Sequence, residues 1–280
     1  MRKTLIFTLF ATLALSGCDL FKNDGKLDLQ ITDAPYTDAS QVVVTVSSVR
    51  LQQHEGHHQS FDLSPAKAID LLQLSNGNFA TLLDDEALPA GDYDSIRLTL
   101  DNGNGSNFVQ RQDGGMYGLD VPGNELELDA DFSIDDRGTT TLTLDVDLRR
   151  SLREPENDGD DYRLVPSLRL INDDDAGAIN GSIPASRIDS ACVAAVYLYQ
   201  GKVTADDIGG NGAQPYSSTN VVADGSGAYR YTAAFLPEGT YTLALTCHAD
   251  QDDPAANDDL DFSASEHADV RAGRTETLNF

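Results

Sequence analysis

Alternation of apolar with polar residues is the feature of this sequence that most limits how it can fold. In residues 125–135 every second position is apolar, namely Leu126, Leu128, Ala130, Phe132 and Ile134. Residues 141–148 repeat the pattern with Leu142, Leu144, Val146 and Leu148. A period of two residues places the apolar side chains on one face of a β-strand, and few segments show the 3.6-residue period of a helix. The pattern predicts an all-β protein.

Turn-forming residues separate these runs at short intervals. They include Asn76-Gly77, Asn102-Gly103 and Asp224-Gly225. Short strands with frequent turns are typical of β-sandwiches. In the Val-rich run the apolar phase changes between Val46 and Val49, which predicts a β-bulge there. Helix is expected only as a turn near residues 65–72.

The charge balance excludes two classes of partner. The chain has 280 residues, with 46 Asp and Glu against 19 Lys and Arg, and a formal net charge of −27. So large an acidic surplus repels phosphate backbones and anionic headgroups, which argues against nucleic-acid binding and against charge-driven membrane docking.

The N-terminus has the form of an export signal. Arg2 and Lys3 precede an apolar run at residues 5–15, which is too short to span a bilayer. The run continues into Leu15-Ser16-Gly17-Cys18, which resembles the lipobox of bacterial lipoproteins. That resemblance implies cleavage after residue 17, lipidation of Cys18 and a membrane-anchored protein of the cell envelope, facing the periplasm or the exterior. An ordinary secretory signal with an incidental cysteine is the alternative.

The two remaining cysteines suit an oxidising compartment. Cys192 is in phase with the apolar positions Val196 and Leu198, and Cys247 with Leu243 and Leu245. Two inward-facing thiols predict a disulfide across a sandwich, with two buried free thiols as the alternative.

The chain divides into two parts of related design. The polar run Asn172 to Gly177 marks the boundary. Leu88-Pro89-Ala90-Gly91-Asp92-Tyr93 has a counterpart in Leu236-Pro237-Glu238-Gly239-Thr240-Tyr241, and residues 138–144 have one in residues 273–280. We therefore expect a signal peptide at 1–17, a lipidated tether at 18–25, a sandwich at 26–172, a linker at 173–177 and a second sandwich at 178–280.

A series of motifs in the first part carries a family resemblance. The first motif is Thr32-Asp33-Ala34-Pro35, and a Val-rich strand follows it. The later motifs are Ile69-Asp70-Leu71-Leu72-Gln73-Leu74, Leu88-Pro89-Ala90-Gly91-Asp92-Tyr93, Asp147-Leu148-Arg149-Arg150-Ser151-Leu152 and Tyr162-Arg163-Leu164-Val165-Pro166. Together they resemble the exported bacterial domain-of-unknown-function family 4382 (DUF4382), which implies fold and location more than activity.

The second part is similar to another kind of sandwich. Residues 177–183, 224–231 and 236–241 resemble carboxypeptidase-regulatory-like, transthyretin-like domains, which are also grouped as a carbohydrate-binding-like fold. The stretch Gly201 to Gln214 is atypical for that family. The resemblance implies recognition of a glycan or another extracytoplasmic ligand, for which Tyr197, Tyr199, Tyr216, Tyr229 and Tyr231 are candidate stacking residues, although core packing explains inward-facing Tyr equally well.

One segment matches a catalytic motif. His54-Glu55-Gly56-His57-His58 satisfies the HExxH pattern of zinc metallohydrolases, in which His54 and His58 would bind the metal and Glu55 would polarise a water. The motif requires a helix, whereas this segment lies between two predicted strands and contains Gly56. A hairpin loop without metal is the preferred interpretation, so we do not expect an enzyme.

Several acidic groups could favour Ca²⁺, although no cofactor is required by the sequence. The loops at 84–86, 158–161, 173–175 and 250–261 are rich in Asp but lack the EF-hand spacing, and solvated loops explain them.

A hairpin offers a more specific cation site. If Asp136-Arg137-Gly138 forms a three-residue hairpin loop with Gly138 left-handed, Asp129 faces Asp145 and Glu127 faces Asp147. Like charges opposite each other are destabilising unless a cation or an arginine intervenes. Arg97 and Arg169 are the alternative partners to Ca²⁺.

These observations lead to one expectation of function. We expect a lipid-anchored envelope lipoprotein of two β-sandwiches with a non-catalytic binding role, attached to the membrane by its lipid and in contact with a glycan or an envelope protein. A passive surface scaffold is the first alternative and a zinc metallohydrolase the second.

Overall fold

A computed structural model of the protein describes residues 24–280 apart from positions 35, 55, 156, 158 and 226. The first half contains β1 (Asp24–Ala34), β2 (Ala39–Gln53), β3 (His58–Asp70), β4 (Ala80–Pro89), β5 (Gly91–Leu100), β6 (Phe108–Arg111), β7 (Met116–Asp120), β8 (Glu125–Ile134), β9 (Thr139–Asp147), β10 (Leu152–Arg153), β11 (Tyr162–Leu164) and β12 (Leu168–Asn172). The second half contains β13 (Ala176–Ile183), β14 (Ala195–Gln200), β15 (Ser217–Asn220), β16 (Val222–Ala223), β17 (Tyr229–Pro237), β18 (Gly239–Thr246), β19 (Phe262–Val270) and β20 (Thr275–Thr277).

Helical structure in these residues is confined to short turns. A single α-helical turn, α1, spans Leu148–Ser151, and 3₁₀ turns occur at Leu71–Leu74, Pro122–Asn124, Asp173–Asp175 and Ala185–Arg187. The prediction of an all-β protein is therefore confirmed. The helical turn expected near residues 65–72 occupies only its end, because β3 continues to Asp70.

Each half is a pair of sheets around its own apolar core. In the first half a sheet of order β12-β9-β1-β4 packs on a larger sheet of order β10-β11-β7-β6-β2-β5-β8, with β3 paired to β2. In the second half a sheet of order β16-β17-β13-β20 packs on a sheet of order β15-β14-β18-β19. The register of β2 against β3 and β5 shifts between Val46 and Ser48, which confirms the predicted bulge.

The two halves repeat the same local design. In each, the first strand pairs antiparallel with the strand that ends in the Leu-Pro turn and parallel with a later strand, as β1 does with β4 and β9, and β13 with β17 and β20. The tyrosine after each turn donates its hydroxyl to the proline carbonyl, over 2.8 Å from Tyr93 to Pro89 and 2.9 Å from Tyr241 to Pro237. The similarity seen in the sequence thus extends to strand pairing.

The acidic hairpin predicted for residues 125–147 does not form. β8 pairs with β5 in the larger sheet, whereas β9 lies between β1 and β12 in the other sheet, so the connection crosses from one layer to the other. Arg137, with φ of 59°, is the left-handed residue of this connection, and Gly138 is not. Asp129 therefore does not face Asp145, and the predicted pairing on which the cation site between them rested is wrong.

The disulfide joins the predicted cysteines but in a different place. Cys192 and Cys247 are bonded, with their Cα atoms 4.5 Å apart. They flank β14 and β18, which are neighbours in one sheet, so the bridge links adjacent strand ends and does not cross the sandwich. Both residues are half-buried because they lie beyond the ends of the strands.

The boundaries of the parts differ slightly from those expected. β1 begins at Asp24, inside the predicted tether, and β13 begins at Ala176, inside the predicted linker. Between β12 and β13 the chain makes only the 3₁₀ turn at Asp173–Asp175, which leaves little freedom between the halves.

Candidate functional site at the junction of the two domains

Motifs that are distant in the sequence meet where the two domains touch. Asp147 caps α1 by accepting a hydrogen bond from the Arg150 backbone N–H over 3.1 Å. Asp33 Oδ1 accepts from the Leu148 N–H over 3.1 Å, and the Val165 N–H donates to the Ser151 carbonyl over 2.8 Å. The segment 147–152 is thereby fixed against β1 and the chain after β11.

Two arginines of this segment reach the second domain. Arg149 is 3% exposed, and its Nη1 donates to the Ala249 carbonyl over 2.5 Å while the guanidinium lies 5.6 Å from the ring centre of Tyr197. Arg150 Nη2 donates to the Pro215 carbonyl. Hydrogen bonds from a charged donor are stronger than neutral ones, so these contacts hold the two domains in one arrangement.

A third arginine binds both domains at once. Arg169 on β12 pairs with Asp145 on β9, donates to Ser217 Oγ over 3.2 Å and lies 4.5 Å from the ring centre of Tyr216. Asp145 is 7% exposed because the second domain covers this part of the sheet. One of the two arginines named as alternative partners therefore neutralises Asp145.

The junction buries carboxylates besides Asp145. Burial raises the pKa of Asp33 well above its ordinary value, and the nearby Asp145 acts in the same direction. Burial also raises the pKa of Asp147, against the opposing effect of Arg169. Asp33 Oδ2 has no hydrogen-bond partner among the described residues. The junction therefore contains, in Asp33, a carboxyl group for which burial favours the protonated form.

Beside the junction lies a cleft of about 720 Å³ with walls from both domains. The first domain contributes Tyr36, Asp38, Arg149, Arg153 and Glu154, and the second contributes residues 249–255. The Tyr36 hydroxyl donates to Glu154 Oε1 over 2.6 Å. Nε and Nη2 of Arg149 are buried and donate to no acceptor among the described residues. The cleft thus combines an aromatic ring with charged donors and acceptors.

The wall from the second domain belongs to an extra layer over its sheet. Ala195, Tyr197 and Tyr199 point away from the main core and are covered by residues from the loops at 201–214 and 247–261. The Tyr197 hydroxyl donates to Asp252 Oδ2 over 2.5 Å, and the Tyr199 hydroxyl donates to the Asp206 carbonyl. These loops contain the group of carboxylates that, among the described residues, could hold a metal ion: Asp207, Asp252 and Asp258.

The other residues that the sequence suggested as site residues do not belong to this cleft. Cys18 and Glu55 lie outside the described residues. His54 and His58 flank the turn between β2 and β3, where Gln52 pairs with His58, so they lie on a hairpin and lack the helical spacing of a metallohydrolase. Tyr197, Tyr199 and Tyr231 are at most 1% exposed and cannot stack on a sugar.

The acidic residues of β8 and β9 take separate partners. Glu127 pairs with Arg97 across β5 and β8, and Asp129 lies opposite Ser95. Asp145 pairs with Arg169, and Asp147 with Arg150 over 3.2 Å.

Sequence reasoning missed the cleft and the convergence of the loops. The sequence marks residues 201–214 as an atypical insertion and residues 250–261 as an acidic run, and neither pattern alone indicates that the two segments meet. The two insertions follow strands that pair with each other, β14 and β18, and although they leave opposite ends of this antiparallel pair, both fold over the same face of the sheet. Two insertions after paired strands are the signal that could have joined them.

The comparisons with known proteins identify a family for the first domain. A profile described as "Domain of unknown function (DUF4382)" matches residues 24–166, just over half of the chain. No curated protein matches the chain.

Among solved structures the likenesses are weak. A leucine-rich repeat protein from Bacteroides thetaiotaomicron is 11% identical with a TM-score of 0.23, over 92% of this chain and 26% of that one. The Bacillus anthracis TIE protein is 12% identical with a TM-score of 0.21, over 91% of this chain and 34% of that one. GBS52, the minor pilin of Streptococcus agalactiae, is 12% identical with a TM-score of 0.20, over 90% of this chain and 94% of that one. The chain thus spans about a quarter and a third of the first two proteins, and likenesses this low carry no inference about function.

Proposed function

The chain belongs to the DUF4382 family, a membership that assigns no activity, and from its own structure we propose that it is a lipid-anchored protein of the bacterial cell envelope that binds a glycan without catalysis. The ligand occupies the cleft between the two domains. The observation that carries this proposal is a preformed cleft of about 720 Å³ whose two walls are held in place by Arg149 and Arg150 of the junction.

The side chains of the cleft suit a ligand rich in hydroxyl groups. A hydroxyl can accept from Arg153 or Gln251 and donate to Asp38, Glu154 or Asp250. The half-buried ring of Tyr36 offers an apolar surface beside them. Because the chain carries a net charge of −27, an uncharged glycan approaches this cleft more easily than an anionic one.

The anchor is a separate part of the proposal. It rests on the lipobox-like residues Leu15-Ser16-Gly17-Cys18, which lie outside the described residues. No helix in the described part of the chain is long and apolar enough to cross a membrane.

The mature protein, applied to a glycan array and fractionated with membranes, tests both parts. We expect binding of a neutral glycan, at least about tenfold weaker in Tyr36→Ala and Gln251→Ala, which change the cleft without touching the junction arginines. Arg163→Ala is the control, since Arg163 is an exposed residue whose one ion pair within the described residues is with Asp120. Cys18→Ser should lose palmitate labelling and leave the membrane fraction.

Array binding that is absent, or that the cleft variants leave unchanged, would remove the glycan proposal. Palmitate labelling that persists in Cys18→Ser would remove the anchor.

A scaffold is the second candidate function, and the buried junction favours it. Arg149, Arg150 and Arg169 fix the second domain on the first, as an extended surface structure would require. Membrane attachment without any array binding by the intact protein would support this candidate over the first.

A further inference from the structure

Three carboxylates converge in the outer layer of the second domain. Asp207 lies in the loop between β14 and β15, and Asp252 and Asp258 lie in the loop between β18 and β19. One oxygen from each carboxylate lies within 4.8 Å of the other two. Residues 45 to 51 positions apart in the sequence are therefore brought to one point by the folding of two loops over the same sheet.

Each carboxylate is held in place by a backbone amide, and two of these bonds join the loops. The Asp258 N–H donates to Asp207 Oδ2 over 2.8 Å, and the Ile208 N–H donates to Asp252 Oδ1 over 3.1 Å. Within the second loop the Asp253 N–H donates to Asp258 Oδ2 over 2.7 Å. The arrangement is thus fixed by the backbone and does not depend on the carboxylates attracting one another.

A second observation shows that the group is incomplete as it stands. Asp207 is fully buried, and its Oδ1 has no hydrogen-bond partner among the described residues. None of the ion pairs found in the described part of the chain includes any of the three carboxylates. A buried carboxylate oxygen without a partner is costly, and a bound cation is the partner that would satisfy it.

We propose that Asp207, Asp252 and Asp258 form a Ca²⁺ site that joins the loop at 201–214 to the loop at 247–261. Ca²⁺ binds oxygen ligands at about 2.3–2.6 Å, so two oxygens on one ion lie at most about 5.2 Å apart. The three carboxylate oxygens, all within 4.8 Å of one another, meet that limit. Mg²⁺ requires a near-ideal octahedron at about 2.0–2.1 Å and usually keeps several waters, whereas Ca²⁺ accepts an irregular group of oxygen ligands. Zinc prefers nitrogen and sulfur ligands, which these loops do not provide at this point.

The site also bears on the cleft. Asp252 lines the cleft as well as the carboxylate group, so a cation there would order the cleft wall formed by residues 249–255. The Ca²⁺ proposal does not depend on the glycan proposal, because the three proposed ligands come from the second domain alone.

Calcium titration of the metal-stripped mature protein tests the site directly. We expect Tm to rise and saturate with Ca²⁺, with a Kd on the order of 0.1–1 mM as in extracellular modules, and not with Mg²⁺ at the same concentrations. Terbium, a luminescent substitute for Ca²⁺, should be sensitised by tyrosine, because the chain has no Trp and the Tyr197 hydroxyl binds Asp252.

Asp207→Asn and Asp258→Asn are the test variants. Each should weaken Ca²⁺ binding by at least about tenfold while it keeps the oxygen that accepts the backbone N–H. Without Ca²⁺, Asp207→Asn should be no less stable than the wild type, because it removes a buried charge. Asp174→Asn with Asp175→Asn, which changes two exposed acidic residues of another cluster, should leave Ca²⁺ binding unchanged.

Three results would overturn the proposal: no saturable response to Ca²⁺ and no terbium luminescence in the wild type, an equal response in the Asp207→Asn and Asp258→Asn variants, or an equal loss of response in the Asp174/Asp175 control. The last would show that the response reflects general screening of acidic surface.

Discussion

Asp33 shows at the residue scale how an acidic chain tolerates carboxylates in its interior. Its Oδ1 is satisfied by the Leu148 N–H, its Oδ2 has no partner among the described residues, and burial raises its pKa well above the ordinary 3.8. A raised pKa means that the folded protein binds the proton more tightly than the unfolded chain. Asp33 therefore favours folding in its protonated form.

The raised pKa of Asp33 sets the sign of a pH effect on stability. The contribution of Asp33 to stability should be greatest at low pH and should fall as pH rises from about 3.8 through its folded pKa. Asp33→Asn should remove that loss and raise the free energy of unfolding by about 1–3 kcal/mol at pH 7, with no gain near pH 3. Urea unfolding across this pH range measures the difference.

Asp62→Asn, at an exposed position, controls for the change in net charge. A destabilised Asp33→Asn at pH 7, or a gain equal to that of Asp62→Asn, would contradict the assignment.

At the scale of the element, the two domains share one kind of turn between consecutive strands. The β4–β5 and β17–β18 turns each contain a glycine with positive φ, Gly91 at 120° and Gly239 at 154°. Each is closed by the hydroxyl of a buried tyrosine, and burial raises the pKa of Tyr93 and of Tyr241 to about 12, so both donate as neutral phenols at neutral pH.

The repeat predicts equal effects in the two domains. Tyr93→Phe and Tyr241→Phe each remove one hydrogen bond to a proline carbonyl and should each lower the free energy of unfolding by about 1 kcal/mol. Denaturant titration followed by circular dichroism measures both. Tyr216→Phe is the control, because the Tyr216 hydroxyl has no hydrogen-bond partner in the described structure; a loss as large in that variant would show that the effect is not due to the turn.

The connection from β8 to β9 shows that local sequence can predict strands without predicting how they pair. Both strands were predicted from their alternation, and both are present. The pairing of the two strands could not be predicted, because Asp136-Arg137-Gly138 suits a hairpin as well as a crossing between sheets. β5 offers Arg97 opposite Glu127, and β1 offers a parallel partner for β9. The choice between these arrangements depends on strands far away in the sequence.

At the scale of the whole molecule, the two domains are joined by contacts of charged side chains. Arg169 pairs with Asp145 of its own domain and contacts Ser217 and Tyr216 of the other. Removing one member of a buried ion pair leaves the other charge without compensation, which is far more costly than losing an exposed pair.

Arg169→Ala should therefore destabilise the protein by about 3–5 kcal/mol and separate the unfolding of the two domains. Differential scanning calorimetry should show one cooperative transition in the wild type and two in the variant. Arg163→Ala, at an exposed pair with Asp120, should lower stability by less than about 1 kcal/mol and keep a single transition. A single transition in Arg169→Ala at an unchanged temperature would show that the junction does not couple the domains.

The sequence by itself determined the class of fold, the bulge near Ser47, the repeated turns at Tyr93 and Tyr241, and the pairing of Cys192 with Cys247. The fold class, the bulge and the turns follow from patterns within a few consecutive residues. The disulfide follows because only two cysteines remain besides Cys18, so they can pair in one way. Only the tertiary structure decided that Arg169 neutralises Asp145, that Cys192 and Cys247 join adjacent strands, and that Asp207 meets Asp252 and Asp258. The reason is that a carboxylate has the same local signature on an exposed strand face, at a domain junction or in a group of ligands. Its partner is set by which strands and loops the whole molecule packs beside it.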